Sequence, residues 1–230
     1  MSSDPTFAAE SNPPESRAGM LKITEIFHSL QGEARDAGKP TVFIRLTGCP
    51  LRCVYCDSEY AFYGGEWMHT DQVMARVAGY KTQYVCVTGG EPLAQKRCHE
   101  LLHSLVEAGY QVSLETSGAI DISKVDTRVS RVVDLKTPDS GEVERNLWSN
   151  LDALTPHDQL KFVICSRRDY DWAVAELHSR GLEKNLEVLF SPAWGQQDAT
   201  ELAAWVLEDQ LAVRVQLQLH KILWGDVPGK

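Results

Sequence analysis

Short apolar segments alternate with longer amphipathic segments along the chain from residue 21 onward. Runs of apolar and β-branched residues predict strands at residues 21–27, 41–47, 84–88, 111–115, 129–135, 160–164, 186–190 and 213–219. Apolar positions at helical spacing predict helices at residues 70–78, 95–108, 169–179 and 199–208, the first with Thr70 as its N-cap. Strands that alternate with helices predict an α/β domain with a mainly parallel sheet.

Polar and glycine-rich residues follow these predicted strands. They are Gly48 with Cys49, residues 89–92, residues 115–118, residues 136–138, and Ser191 with Pro192. Because the carboxyl ends of parallel strands share one edge of a sheet, we expect the ligand site at that edge. The chain has no internal repeat and no linker-like segment, so residues 20–230 are predicted to form one domain.

Composition narrows the class of protein. Residues 1–19 are rich in Ser, Pro, Glu and Ala, so they predict a disordered tail, and Met20 is a second candidate start of translation. They lack the pattern of a secretory signal, and no apolar run approaches the roughly 18 residues of a membrane span. A net charge of −9 disfavours nucleic acid as a direct ligand. We therefore expect a cytoplasmic protein that binds neither membranes nor nucleic acid.

Three of the six cysteines, Cys49, Cys53 and Cys56, have the spacing C-x-x-x-C-x-x-C. Three thiolates on one tight loop can bind three corners of a cubane iron–sulfur cluster and leave the fourth iron open. A zinc site would need a fourth ligand, for which His69 is a candidate. A redox dithiol of Cys53 and Cys56 would leave Cys49 unexplained.

The other three cysteines lie in different surroundings. Cys86 falls inside a predicted strand, Cys98 inside a predicted helix, and Cys165 at the end of an apolar run. Free cysteines are among the residues most often buried, so we expect these three to pack in or near the core.

The cysteine loop, with Tyr55 before its last cysteine, resembles that of the radical S-adenosylmethionine (SAM) superfamily, and residues 88–92 (TGGEP) resemble its glycine-rich segment. Residues 25–33, 43–49, 115–118 and 219–221 are similar to the 7-carboxy-7-deazaguanine synthase family within it. The similarity covers about residues 20–225. It implies a shortened radical-SAM partial (βα) barrel with a mainly parallel sheet, and a homodimer.

The implied activity is conversion of 6-carboxy-5,6,7,8-tetrahydropterin to 7-carboxy-7-deazaguanine with release of ammonia, a step in queuosine and deazapurine biosynthesis. The ring contraction would be started by a 5′-deoxyadenosyl radical, so a one-electron reductant such as a flavodoxin-like protein is implied as a partner. A glycyl-radical-enzyme activase of the same superfamily is one alternative. A non-catalytic zinc-binding interaction module is the other.

The resemblance also implies roles for individual residues. Cys49, Cys53 and Cys56 would hold a [4Fe–4S] cluster, and Ser58 would bind Mg²⁺ where the family usually has Thr. SAM would contact Tyr55, Cys56, Asp57, Gly90, Glu115, Ser117, Asp134 and Lys136. The pterin would contact Leu30, Gln31, Gly32, Glu33, Arg45, Thr88 and His220. Two segments depart from the family: Asp134 to Lys136 replaces Ser-Pro-Lys, and the chain continues beyond Lys221 for nine residues.

Overall fold

The computed structural model describes residues 17–227 and residue 229. Within them the strands are β1 (Met20–Leu30), β2 (Pro40–Leu46), β3 (Glu66–His69), β4 (Tyr84–Gly89), β5 (Gln111–Thr116), β6 (Ser130–Leu135), β7 (Gln159–Ile164), β8 (Glu187–Pro192) and β9 (Arg214–Val215). The helices are α1 (Thr70–Ala78), α2 (Cys98–Glu107), α3 (Arg167–Arg180), α4 (Ala199–Glu208) and α5 (Leu219–Trp224). Most of the predicted tail lies outside the described residues, whereas residues 17–19 form a turn that leads into β1.

All the strands belong to one sheet in the order β3-β1-β2-β4-β5-β6-β7-β8-β9. Strand β1 pairs antiparallel with β2 and with β3, and every other neighbouring pair is parallel. The sheet does not close, because β3 and β9 stand at opposite ends of this order. The predicted α/β partial barrel with a mainly parallel sheet is therefore confirmed.

Helices cover the sheet and bury its apolar side chains. Helix α1 contacts β1, α2 contacts β5, α3 contacts β7, and α4 contacts β9. One core cluster runs through the sheet and these helices, and its members include Ile44, Leu101 and Phe162, each fully buried. Burial of a large apolar side chain stabilises a fold by about 1.5–3 kcal/mol, so this layer holds the strand ends in fixed positions.

Side-chain hydrogen bonds mark the helix ends. The Ser166 and Asp198 side chains accept from backbone N–H groups in the first turns of α3 and α4. Helix α1 has the predicted bounds, but its N-cap is His69 rather than Thr70, and the backbone N–H of His69 donates to Gln72 Oε1 at 2.8 Å. These caps satisfy N–H groups that have no partner within a helix.

The structure differs from the predicted elements in three main places. The helix expected from residue 95 begins at Cys98, because the Gln95 amide instead bonds the backbone oxygens of Lys22 at 2.8 Å and Thr47 at 2.9 Å. Strand β3 was not predicted; it has four residues, of which Met68 alone is buried. The strand expected at residues 213–219 is reduced to β9, and its last residue begins α5 instead.

The expected burial of the separate cysteines is confirmed for Cys86 and Cys98, whereas Cys165 is half-buried. No helix in residues 17–227 combines the length and the hydrophobicity that crossing a membrane requires.

Candidate active site

A cavity of about 590 Å³ opens at the carboxyl ends of the parallel strands. Its wall is built from the residues that follow these strands, including Cys49 after β2, Gly90 after β4, Ser117 after β5 and Lys136 after β6. Small-molecule sites occupy about 300–1,000 Å³, and parallel α/β sheets bind their ligands at this edge. The cavity is therefore the candidate active site.

Every site residue predicted from the sequence lies in the wall of this cavity. They are Leu30, Gln31, Gly32, Glu33, Arg45, Cys49, Cys53, Tyr55, Cys56, Asp57, Ser58, Thr88, Gly90, Glu115, Ser117, Asp134, Lys136 and His220. The fold thus brings together residues from both ends of the chain.

The three cysteines of the motif lie on a loop that two backbone hydrogen bonds tie to other segments. The backbone N–H of Gly48 donates to Ala61 at 2.8 Å, and that of Val54 donates to Ser140 at 3.0 Å. Burial raises the pKa of all three thiols, that of Cys53 to about 11. The loop therefore presents three free thiols to one cavity.

Three thiols on one loop fit the donor set of a cubane iron–sulfur cluster. Among residues 17–227, no three His, Cys, Asp or Glu side chains converge on a point where one metal ion could bind. A structural zinc needs four ligands around one point. In a cubane each thiolate binds a different iron, so the thiols need not converge.

Gly90 has a backbone position that other residues would disturb. A Cβ atom there would lie 2.5 Å from the carbonyl oxygen of Gly48 and 2.7 Å from the Cβ of Cys49. Its N–H donates to Leu46 at 3.2 Å, and the next N–H, of Glu91, donates to Gly48 at 2.8 Å. Glycine at this position lets the segment 88–92 pack directly against the cysteine loop.

Glu91 is a fully buried carboxylate next to Gly90. It accepts hydrogen bonds from the backbone N–H groups of Leu93 at 2.9 Å and Ser117 at 2.7 Å, and from the hydroxyls of Thr116 at 3.0 Å and Ser117 at 2.5 Å. Buried carboxylates persist where such donors replace water. Glu91 therefore ties the glycine-rich segment to the end of β5 and orients Ser117.

Lys136 is buried and forms an ion pair with Asp134 at 3.0 Å, 5.7 Å from the centre of the Tyr55 ring. Burial alone would lower the pKa of Lys136, but Asp134, Tyr55 and Cys53 outweigh it and raise that pKa well above its usual value. The Tyr55 hydroxyl and Asp134 Oδ1 are buried without a hydrogen-bond partner in the described residues. Unpaired polar atoms in a cavity wall fit a polar ligand such as SAM.

Arg45 lies on β2 opposite Glu25 of β1. Its Nε donates to Glu25 Oε1 at 2.7 Å, and the Tyr60 hydroxyl donates to the same oxygen at 2.8 Å. The guanidinium carbon also lies 5.6 Å from the centre of the Tyr60 ring. Since Glu25 accepts the hydrogen bond from Nε–H, the two terminal nitrogens are left to bind an incoming carboxylate in a bidentate fork.

Glu33, in the loop after β1, forms a buried ion pair with Lys161 of β7. The Gln218 amide donates to the other oxygen of Glu33 at 2.7 Å. Burial alone would raise the pKa of Glu33, but Lys161 and Gln218 outweigh it, and the pKa is lowered. The carboxylate is therefore ionised at neutral pH.

His220 packs against Gly32, where a Cβ would lie 1.9 Å from His220 Nδ1. The backbone N–H of Leu219 donates to the carbonyl of Gly32 at 3.0 Å, which draws the chain away from β9 and into α5. Nearby, Glu115 accepts from the Thr88 hydroxyl at 3.0 Å and from the Gln31 amide at 3.4 Å. The contacts with Gly32 join the late segment to the loop after β1, and the Glu115 hydrogen bonds join the ends of β4 and β5 to the same loop.

Ser58 and Asp57 bring two hard oxygen atoms side by side, because the Ser58 hydroxyl donates to Asp57 Oδ1 at 2.9 Å. Lys221 contacts Asp57 at 3.2 Å and Asp226 at 2.9 Å. Mg²⁺ keeps several waters or substrate oxygens, so two protein oxygens fit it without a complete protein cage. Asp226 also lines the cavity, so the chain beyond Lys221 contributes to the site.

The residues that were not predicted are mostly partners of predicted ones. They are Glu25, Glu91, Lys161, Gln218 and Asp226. Lys161 carries a signal that could have been used, because it is a cation inside the apolar segment 160–164, as Arg45 is inside 41–47. Glu91 lies within the glycine-rich segment 88–92 that the sequence indicated, but its contact with Ser117 was not predicted. Gln218 and Asp226 carry no such signal, since their importance comes from contacts distant in the chain.

Fold and site together define a radical SAM protein. The family model described as the Radical SAM superfamily matches residues 43–190. The structure is similar to the crystal structure of QueE from Escherichia coli, with a TM-score of 0.69 and 23% identity over 90% of this chain and 100% of that one. It is less similar to Streptococcus suis SuiB bound to its precursor peptide SuiA, with a TM-score of 0.53 over 74% of this chain and 47% of that one.

Curated relatives give the family within that class. The chain is 47% identical over 219 residues to 7-carboxy-7-deazaguanine synthase of Koribacter versatilis (strain Ellin345), which covers 89% of this chain and 97% of the relative. It is 42% identical to the protein of the same name from Chlorobaculum tepidum, over 89% of this chain and 94% of the relative. The chain belongs to the 7-carboxy-7-deazaguanine synthase family of radical SAM enzymes. Membership of that superfamily implies SAM and a [4Fe–4S] cluster.

Proposed function

We propose that this enzyme converts 6-carboxy-5,6,7,8-tetrahydropterin to 7-carboxy-7-deazaguanine with release of ammonia, as a step in queuosine and deazapurine biosynthesis. The observation that carries the proposal is the set of side chains that line one cavity. It joins three free thiols to an arginine with two available terminal nitrogens and to the ionised carboxylate of Glu33. A small carboxylated heterocycle needs such complementary charges.

Cys49, Cys53 and Cys56 hold the [4Fe–4S] cluster in this proposal. Bound together, the cluster and SAM supply hydrogen-atom abstraction from carbon. The chain itself binds and orients. Tyr55, Cys56, Asp57, Gly90, Glu115, Ser117, Asp134 and Lys136 surround SAM, and the buried unpaired atoms of Tyr55 and Asp134 support this assignment.

Arg45 binds the substrate carboxylate through its terminal nitrogens, and Glu33 accepts two N–H groups from the guanidine-like edge of the pterin. Leu30, Gln31, Gly32, Thr88 and His220 complete the substrate wall. Because folding already fixes Arg45 against Glu25 and Glu33 against Lys161, little ordering remains for binding. In this proposal, the preorganised charges favour one orientation of the pterin.

Ser58 binds Mg²⁺ beside Asp57 in this proposal, with water and substrate oxygens as further ligands. The Ser58→Ala variant should need more Mg²⁺ for half-maximal activity. Ser104→Ala is a suitable control, because its hydroxyl bonds only a helix carbonyl on the surface. An unchanged Mg²⁺ requirement in Ser58→Ala would exclude Ser58 as the ligand.

The decisive experiment is an anaerobic assay of the reconstituted enzyme with the tetrahydropterin, SAM and a chemical reductant. Mass spectrometry should find 7-carboxy-7-deazaguanine and one ammonia per product. SAM cleavage without a deazapurine would favour a glycyl-radical activase. A protein with about one zinc and no acid-labile sulfide would favour the zinc module.

We further propose a cytoplasmic homodimer that takes its electron from a flavodoxin-like reductant. The proposed substrate is a small molecule, and the negative net charge disfavours binding to nucleic acid. We therefore expect no contact with tRNA. Size-exclusion chromatography with light scattering tests the dimer, and replacement of the chemical reductant by a reduced flavodoxin tests the partner.

A further inference from the structure

Lys161, Glu33 and Gln218 form a continuous polar row in the cavity wall. Lys161 Nζ contacts Glu33 Oε2, and Gln218 Nε2 donates to Glu33 Oε1 at 2.7 Å. Each residue comes from a different segment: Lys161 from β7, Glu33 from the loop after β1, and Gln218 from the residue before α5. The carboxylate is thus held from both sides.

Both members of the ion pair are charged at neutral pH. Burial alone would lower the pKa of Lys161, but Glu33, Asp134 and Glu115 outweigh it, and the pKa is raised. The pKa of Glu33 is lowered, as described above. Lys161 therefore has a complete ammonium group with three N–H donors.

The row keeps hydrogen-bond donors and acceptors that a ligand can use. An ammonium has three donors, and Lys161 gives one to Glu33. A carboxylate has about four acceptor positions, of which Lys161 and Gln218 take two. The side-chain oxygen of Gln218 forms no hydrogen bond with residues 17–227. Along the row, Lys161 therefore offers N–H donors, Glu33 offers two acceptor positions, and the side-chain oxygen of Gln218 offers one more.

A 2-amino-4-oxopyrimidine edge has the opposite order. Its 4-oxo oxygen is an acceptor, and N3–H and the two N–H bonds of the 2-amino group are donors. The edge matches the row in one direction only, with the 4-oxo group at Lys161. In the reverse direction, the ammonium would face the amino group, donor against donor.

We propose that Lys161 is a specificity-determining residue that donates a hydrogen bond to the 4-oxo oxygen of the pterin, while Glu33 and Gln218 accept from N3–H and the 2-amino group. This inference rests on the proposed function and adds to it a residue with its own contact. It explains why a lysine occupies an interior strand position: a buried donor left unmatched by the wrong ring edge costs binding.

The test measures the binding of two ligands to two proteins, the wild type and one variant. The probes are 6-carboxypterin and its 4-thioxo analogue, which keeps N3–H and the 2-amino group but replaces the oxygen by sulfur, a weak acceptor. Dissociation constants are measured for the wild type and Lys161→Met by quenching of ligand fluorescence. The wild type should favour the 4-oxo probe about 10-fold or more, and the preference should nearly vanish in Lys161→Met.

A role for Lys161 only in holding Glu33 gives a different result. Both probes would then weaken by the same factor in Lys161→Met, and the unchanged ratio would overturn the proposal. A wild type that binds both probes equally would overturn it too. If the wild type binds neither probe and makes no deazapurine, the proposed function itself fails, so the two failures are distinguishable.

A second pair of variants covers the case in which Lys161→Met does not fold, because that change leaves Glu33 as an unpaired buried charge. Glu33→Gln keeps Lys161 and should keep the 4-oxo preference at lower affinity for both probes. Glu33→Gln/Lys161→Met removes both charges and should lose the preference. Equal ratios in these two variants would overturn the proposal.

Discussion

The contact between Gly90 and the cysteine loop gives a quantitative prediction for Gly90→Ala. The new Cβ would lie 2.5 Å from the Gly48 oxygen, well inside the 3.4 Å at which ordinary contacts begin. Since the nearest atoms are backbone and the Cβ of Cys49, no flexible side chain can move away. The two segments must separate by about 1 Å, and such overpacking costs about 1–3 kcal/mol of unfolding free energy.

The same displacement moves the first cysteine relative to the segment that we place against SAM. A misplacement of about 1 Å can reduce a rate by about 100-fold, so the rate of SAM cleavage should fall by that order. Urea unfolding of the apoprotein measures the loss of stability, and deoxyadenosine production by the reconstituted enzyme measures the rate.

Gly79→Ala is the matched control for this experiment. Gly79 lies at the end of α1 with an ordinary φ of −68°, and its new Cβ would lie 3.2 Å from one carbonyl oxygen. Its unfolding free energy should change by no more than about 1 kcal/mol. If Gly90→Ala unfolds and cleaves SAM like the wild type, the close approach of the two segments has no consequence and the reasoning is wrong.

Three further predictions concern the cluster, the substrate carboxylate and pH. Cys53→Ala should lose the cluster and all SAM cleavage, whereas Cys98→Ala, in a buried helix position, should keep its iron; iron and sulfide analysis measures both. Arg45→Gln should raise KM for the tetrahydropterin about 10- to 100-fold in steady-state assays, because one bidentate pair is lost. The stability advantage of the wild type over Glu33→Gln/Lys161→Met should stay constant between about pH 6 and pH 9 and change below pH 4.5 in urea unfolding of the apoproteins.

The pH prediction follows from the directions of the two pKa shifts. The pKa of Glu33 is lowered below 4.5, so its contribution to stability is present above that value and is lost as pH falls through the folded-state pKa. The pKa of Lys161 is raised above 10.5, so its contribution is present below that value and is lost only at higher pH. A stability difference that varied between these limits would contradict the ion pair.

The predictions for Cys53 and Arg45 can each be contradicted by a single result. Full iron and sulfide content in Cys53→Ala would exclude its thiol as a cluster ligand. For Arg45, the matched control is Arg76→Gln. Arg76 forms an exposed pair with Glu66 at 3.2 Å and does not line the cavity, so this variant should leave KM unchanged. Equal KM values for both arginine variants would contradict substrate binding by Arg45.

Local patterns predicted the strands and helices that bury continuous apolar faces. Strands β4 and β7 were located within one residue, because most of their positions are buried. Strand β3 has one buried residue, so its sequence has no hydrophobic periodicity from which a strand could be predicted. The segment at 213–219 has a strand-like composition, but the bond from Leu219 to Gly32 is a tertiary contact that local pattern does not contain.

The residues of the candidate site also differ in how far the sequence alone predicts them. Cys49, Cys53 and Cys56 could be predicted because their spacing alone limits the chemistry. Gly90 and Arg45 needed the resemblance to be interpreted, because a glycine turn and a cation in a strand each have common structural explanations. Glu91 and Gln218 act on residues about 26 and 185 positions away in the chain, and one sequence does not reveal such pairs.

The charges of the cavity explain how an acidic protein can bind carboxylated ligands. The resemblance implied two cations in the site, Arg45 and Lys136, but the wall also contains Lys161 and Lys221. Each of these cations pairs with a carboxylate of the chain, so the wall is close to neutral. A free cation in the cavity would attract any anion, whereas a paired one favours only a ligand that fits its remaining donors. Arg45 keeps a two-nitrogen edge after pairing, which a lysine could not, and selectivity for a carboxylate follows from that difference.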